Sequence, residues 1–450
     1  MKALGSAAGW AMVALMLAGC GGDPPLEGER FDVRTPLAIS AEDGATSAAV
    51  EGASPDTAIS RDVPFSASRQ VNHSEWTHRG GSATHRLQHP ALASRVSLIW
   101  TADIGSGDSR KAHITADPVI AGGRIFTLDA RSRAMAHSTS GAAQWSRDLT
   151  PASERTKDGS GGGLAYGGGK LFVTTGFGEL HALDPATGTT LWTQGFDAPV
   201  SGAPTVKGDL VYVSSRDNRA FAVKASNGRL AWQLSAGPSP SATINGAGPA
   251  VDGSIAVFPF GSAELVGALP QGGIRTWSAT LAGRRRGKAY SLITDISSDP
   301  VIVGSTVYVG SPSGRIAALD SSSGERIWTA TEGAMSPVWV DGGSIFAVSD
   351  IQQLIRLDAS DGSVIWSVDL PGFKKEKPRK YRDVFAHYGP VLAGGRLIVA
   401  SDDGQLRSFD PRSGALVSAV EIPGGATTNP VVVGGVLYVV NAKGQLLAYR

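Results

Sequence analysis

The sequence predicts an all-β fold, an eight-bladed β-propeller of four-stranded antiparallel blades, and three observations carry that prediction. A motif recurs at intervals of roughly 40 to 50 residues. A Trp closes most of its copies, and glycine supplies 58 of the 450 residues, about twice its ordinary usage. The clearest copy, PVIVGSTVYVGSPSGRIAALDSSSGERIW, runs from Pro300 to Trp328; others begin at Pro118, Leu164, Pro204, Pro249, Pro337, Pro390 and Pro430.

Each element of a copy has a local reason. The first turn carries Gly342-Gly343, Gly394-Gly395 or Gly434-Gly435, where a hairpin wants positive φ. The strand after it alternates with period two, as Val307, Tyr308 and Val309 show, so its side chains divide between two faces. A second turn holds Gly178, Gly314, Gly404 or Gly444. A third reads Asp-x-x-x-Gly in four copies, Asp184 to Gly188, Asp320 to Gly324, Asp358 to Gly362 and Asp410 to Gly414. His137 and Lys224 replace that Asp elsewhere, which marks turn chemistry rather than catalysis.

The Trp positions predict how the ring closes. Trp145, Trp192, Trp232, Trp277, Trp328 and Trp366 each end a copy, and Ser418 stands at the same place in the seventh. The eighth copy stops at Tyr449-Arg450 without a last strand, while Trp100 lies upstream of the first copy with no strands of its own. An N-terminal strand around Trp100 completing the C-terminal blade removes both deficits and the free sheet edge. Each Trp buries roughly 150 to 250 Å², on the order of 4 to 6 kcal/mol as an upper value. Their expected role is packing between blades.

The N-terminal residues do not repeat. Lys2, an apolar run from Ala7 to Leu17, and Leu17-Ala18-Gly19-Cys20 resemble a bacterial lipoprotein signal, with residues 1–19 as signal peptide and Cys20 as the lipidated residue. About a dozen apolar residues are too few for a span that needs about 20. Cys20 is the only cysteine, so no disulfide and no cysteine metal cluster is expected. Gly21, where retention at the inner membrane favours Asp, points to the outer membrane, on its periplasmic side. Residues 20–64, poor in apolar period, read as a flexible tether, spanning about 35 Å for ~40 residues. Residues 65–450 form the propeller.

Composition and motifs exclude several functions. The net charge of +1 gives no global field for nucleic acid. No GxSxG, HExxH or GxxxxGK[ST] motif occurs. His73, His78, His85 and His89 cluster before the first copy, but irregularly and without companion carboxylates, so no metal is assigned to them. No catalytic residue and no cofactor is expected.

With the copies laid out, the pattern PVVxGGxVYVxxxxGxLxALDxxTGxxxW resembles the PQQ-type propeller repeat. The lipobox at Cys20, the leader Trp76-Thr77-His78-Arg79-Gly80-Gly81, eight copies and the ending Gly444 to Arg450 resemble, more narrowly, the BamB family of lipoproteins of the outer-membrane β-barrel assembly machinery. The resemblance implies a non-enzymatic scaffold. Its partner would be a POTRA domain of the BamA-like barrel-forming subunit, met through loops around blades three to five, with unfolded outer-membrane proteins as a further partner. Three loops exceed the repeat's minimum length, Gly237 to Gly248, Ala282 to Asp299 and Pro371 to Tyr388. By alignment with the family's contact loops, Asp295 matches, Ser297 replaces a second acid, and Ile244 and Asn245 occupy the other contact stretch without reproducing its Arg. Basic runs at Arg284 to Lys288 and Lys374 to Lys380 suit acidic partners or anionic headgroups. Quinoprotein dehydrogenases share the repeat and hold PQQ with Ca²⁺ in the central opening, typically under a vicinal cysteine pair that this chain lacks. A dehydrogenase and a periplasmic ligand-binding propeller are the alternative readings.

Overall fold

The computed structural model describes residues 60–200, 202–239, 246–281, 283, 295–375, 377 and 383–450. Cys20, the signal peptide, most of the tether, Ile244 and Asn245 lie outside them. Eight antiparallel sheets of four strands each follow one another along the chain, and the ring is closed as the Trp spacing predicts. Strand β1, Leu98–Asp103, pairs with Gln445–Tyr449 and becomes the outer strand of blade 8.

Blade 5 illustrates the unit. Its strands Val301–Val303, Thr306–Ser311, Arg315–Asp320 and Arg326–Ala330 run from axis to rim. Period-two alternation divides its side chains between two seams. Val307, Val309 and Leu319 pack with Ile255, Val257 and Leu265 of blade 4. Tyr308, Ile316 and Ala318 pack with Ile345, Ala347 and Ile355 of blade 6. Both faces are therefore buried, and only the outer strand meets water on one side.

The repeated Trp and the repeated Asp-x-x-x-Gly belong to one device. Trp277 Nε1 donates to the Ser321 carbonyl of the next blade at 2.8 Å, and Trp328 Nε1 to that of Ala359 at 3.0 Å. Trp145, Trp192, Trp232 and Trp366 donate likewise to Pro185, Ala225, Pro270 and Pro411. Asp320 caps the receiving turn by accepting from the Ser322 and Ser323 amides. Gly324 ends it, because a Cβ there would lie 2.6 Å from the Trp277 ring and φ is +71°. Trp100 sits in the same way against Gly141 of blade 1. Ser418 breaks the pattern for a structural reason: the neighbouring blade 8 takes its outer strand from β1, so no third turn joins its last two strands for a Trp to dock on.

A leader of residues 60–97 visits every blade before β1 begins. It enters on the rim of blade 6, where Ser60 bridges Trp366 and the Arg61 amide donates to the Ile365 carbonyl at 2.8 Å. Buried Arg356 holds it there by donating to the carbonyls of Val63 and Pro64, both at 2.9 Å, with Phe65 stacked over its guanidinium. Ser60 to Pro64, assigned by composition to the tether, thus lie against the ring. Ser68 then meets Asp341 of blade 6, and the His73 carbonyl accepts from Gly434 of blade 8. Trp76 bridges Ile120 of blade 1, and the Thr77 carbonyl accepts from Tyr166 of blade 2. His78 meets Val206 of blade 3, and the carbonyls of Ala83 and Thr84 accept from Val251 and Ile302 of blades 4 and 5. His89 and Pro90 close the circuit on Gly395 and Gly394 of blade 7.

The sealed axis and the loop face

Inner strands of the blades are only two to seven residues long, so residues just before them surround the axis at the end opposite the first turns. In most copies a small residue precedes the entry proline, as at Ala203, Gly248, Ser336 and Gly389. Blades 1, 5 and 8 carry Asp117, Asp299 and Asn429 instead. Arg79 of the leader reaches between the two acids, which stand on diametrically opposite blades. Its Nε lies 3.1 Å from Asp299 Oδ2 and 3.5 Å from Asp117 Oδ2, with side-chain exposures of 6%, 0% and 5% respectively. Burial opposes the Arg79 charge, but Asp299 and then Asp117 outweigh it and raise its pKa above the ordinary guanidinium value. Desolvation pushes the Asp117 carboxyl up, although Arg79 and Asn429 oppose this. Asn429 donates to Asp117 through its backbone amide at 2.9 Å and its side-chain amide at 2.7 Å.

Three of the four histidines that precede blade 1 are separate struts to separate blades. His78 Nε2 accepts from the Val206 amide at 3.1 Å, which leaves Nδ1 to donate to Thr77. His85 Nδ1 donates to the Pro300 carbonyl at 2.9 Å. His89 Nε2 accepts from the Gly395 amide at 2.9 Å while Nδ1 donates to Ser68. Desolvation, reinforced by His85, lowers the His78 pKa to about 3, and desolvation lowers that of His85 against the pull of Asp299. Both are neutral at pH 7.

These residues do not fit a quinone with its cation. Trp76, Arg79 and His85 occupy the axis, and the two axial carboxylates already face a guanidinium rather than an open position. A cation there would have to displace Arg79. Asp402, at the second turn of blade 7, accepts from Ala386 and Lys374.

Of the candidate contact residues, Asp295 and Ser297 sit on the opposite end of the ring from the first turns. Asp295 and Ser297 are 4% and 5% exposed. Asp295 lies beside Arg216 of blade 3, whose pKa burial lowers while Asp295 resists that shift. With Ser215, Asn218, Phe260 and Ile296 they line a small polar cleft between the second turns of blades 3 and 4. The Ile296 amide reaches the Phe260 carbonyl, and Ser298 Oγ donates to the Ser336 carbonyl of blade 6 at 2.9 Å. Sequence reasoning passed over Arg79, Asp117 and Asp299 as axial residues. The available signal was an acid before Pro118 and Pro300 at a position that is small in other copies.

The fold is shared by proteins of several activities. The quinohemoprotein alcohol dehydrogenase of Comamonas testosteroni superposes with a TM-score of 0.65 at 15% identity, covering 84% of this chain and 81% of that one. BamB from Moraxella catarrhalis gives the same TM-score, 0.65, at 16% identity over 79% of this chain and 100% of its own. Those likenesses establish the propeller and no more. In sequence, the outer membrane protein assembly factor BamB of Shewanella oneidensis is 25% identical over 361 residues, 77% of this chain and 87% of its own length. The profile of the family described as outer membrane protein assembly factor BamB matches residues 130–368 and 375–450, from blade 1 to the last strand. On that match across most of the ring, the chain belongs to the BamB family.

Proposed function

We propose that the chain is a non-enzymatic scaffold of outer-membrane β-barrel assembly. Lipid on Cys20 holds it to the inner leaflet of the outer membrane, and the long loops of blades 3 to 5 dock a POTRA domain of the barrel-forming subunit. The observation that carries this reading is the division of the ring: its axis is filled by its own leader, while its departures from the repeat gather in loops on one end. A filled axis leaves surface recognition as the available work. Asp295 and Ser297, being buried, serve docking by holding the loop beside Arg216, and Ile244 and Asn245 belong to the neighbouring contact loop. Unfolded barrel precursors are a further partner on this reading, met by strand addition at exposed edges.

Affinity isolation of the intact lipoprotein from solubilised envelopes tests the proposal. The barrel-forming subunit should copurify with it, and Asp295→Asn should reduce its yield several-fold. Isolation of the lipoprotein without that subunit would refute the reading. The dehydrogenase alternative predicts quinone absorbance and dye-linked alcohol oxidation after PQQ and Ca²⁺ are added; neither should appear.

A further inference from the structure

Two loops proposed for docking, 237–248 and 282–299, end at the same buried carboxylate. Asp299 Oδ1 accepts from the Gly248 amide at 2.6 Å, the last residue of the first loop, and Asp299 is itself the last residue of the second. Its other oxygen faces Arg79 at 3.1 Å. The backbones meet closely here. A Cβ on Gly248 would lie 2.5 Å from the Ala203 carbonyl oxygen, and one on Gly202 would lie 2.6 Å from Ala247. Thr205 Oγ1 donates to the Pro249 carbonyl, and His85 Nδ1 to that of Pro300, so the roots of blades 3, 4 and 5 form one hydrogen-bonded patch beneath the loops.

We infer that Arg79 is a positioning residue for the docking loops: it holds the Asp299 side chain in place, and Asp299 fixes where both loops leave the ring. This deepens the loop-docking reading and rests on it. The physical reason is the cost of a lone carboxylate whose side chain is 0% exposed. Deprived of the guanidinium, Asp299 loses its counter-charge, and a side chain that turns to find another partner alters its bond to Gly248. Because the interior is close-packed, displacement at that junction moves loop roots rather than being absorbed beneath them. The leader thereby links the anchored end of the chain to the face that meets the partner.

The test compares Arg79→Gln with Arg356→Gln in the full-length chain, binding the purified periplasmic region of the barrel-forming subunit below the unfolding temperature of both. Arg356 clamps the leader through Val63 and Pro64 and bonds to neither loop among the described residues. The expected result is binding weakened about tenfold or more by Arg79→Gln, through faster dissociation, and unchanged by Arg356→Gln. Hydrogen exchange should quicken at residues 246–250 and 295–300 in the first variant alone. Equal weakening by both variants, or unchanged binding and exchange in Arg79→Gln, overturns the inference. If Arg79→Gln does not fold, Asp299→Asn takes its place, since it keeps an acceptor for Gly248 but loses the ionic contact. Failure of the unmodified chain to bind refutes the docking reading, and the exchange comparison still decides whether Arg79 positions the loops.

Discussion

Blade meets blade through apolar side chains and one indole, whereas the leader meets all eight blades through backbone carbonyls, three imidazoles and a guanidinium. A seam repeated around a ring drops its indole only where no turn receives it, as Ser418 shows by standing where six copies have Trp. The leader has no second copy, and its buried polar groups each depend on one or two partners. Repetition spreads stability over many similar contacts, while the axis concentrates it in few.

Substitutions at the two kinds of contact should separate them. Arg79→Met leaves Asp117 and Asp299 buried without a counter-charge, and breaking a buried pair in this way costs about 3 to 5 kcal/mol. Trp366→Ala removes a side chain that is 1% exposed and costs a similar amount, about 3 to 5 kcal/mol, by loss of packing. Urea unfolding at pH 7 measures both. Adding Asp299→Leu and Asp117→Leu to Arg79→Met should recover much of the first loss, because no charge then stays unpaired. No partner exchange should rescue the second. Lack of recovery would mean that the axis, like the seams, is held by packing.

Smaller effects sharpen the same contrast. Gly394 and Gly434 occupy equivalent first turns, with φ of +57° and +63°. A Cβ on Gly394 would overlap the Leu92 carbonyl of the leader, while one on Gly434 meets nothing within 4 Å. Both Ala substitutions carry the same conformational cost, so the excess for Gly394→Ala, about 1 to 3 kcal/mol, isolates the leader contact. Equal costs in thermal unfolding would remove that contact from the account.

Acid should act on the leader as well. His78 and His85 are neutral in the folded chain with pKa values depressed below 6.5, so the unfolded chain binds the proton first. For His78, stability is full above pH 6.5 and falls as pH drops from there toward about 3, by about 1.4 kcal/mol per pH unit, and His85 adds a loss in the same direction. His78→Gln should flatten the dependence of the urea midpoint between pH 7 and 5. An unchanged slope would place the acid sensitivity elsewhere, for example at His181, whose pKa burial lowers to about 4.

The ring was legible in the sequence because its contacts recur at fixed offsets. Val307 and Val309 against Tyr308 announce two packed faces, and the surplus Trp100 with the missing strand after Tyr449 announces the closure by β1. The pairing of each Trp with the following Asp-x-x-x-Gly turn was visible only in halves, since one lies at the end of a copy and the other within the next. The leader was not legible at all as an axial element. Its partners are far off in sequence, Thr77 with Tyr166, Arg79 with Asp299, His89 with Gly395. Without periodicity, a polar stretch such as His73 to His89 reads equally as solvated or as buried. The loops proposed for docking are least legible, because Asp295 is known only by alignment, and its burial beside Arg216 comes from the meeting of two blades.

Hydrogen exchange of the intact chain reaches the central claim, that the leader is the axis of the ring, most directly. The amides of Trp76, Gly81, His85 and Ala91 each donate to a backbone carbonyl. They should exchange as slowly as those of the strand Thr306–Ser311, by global unfolding. Exchange of those four amides within seconds, while the strands stay protected, would show a leader that leaves the axis and would contradict the account.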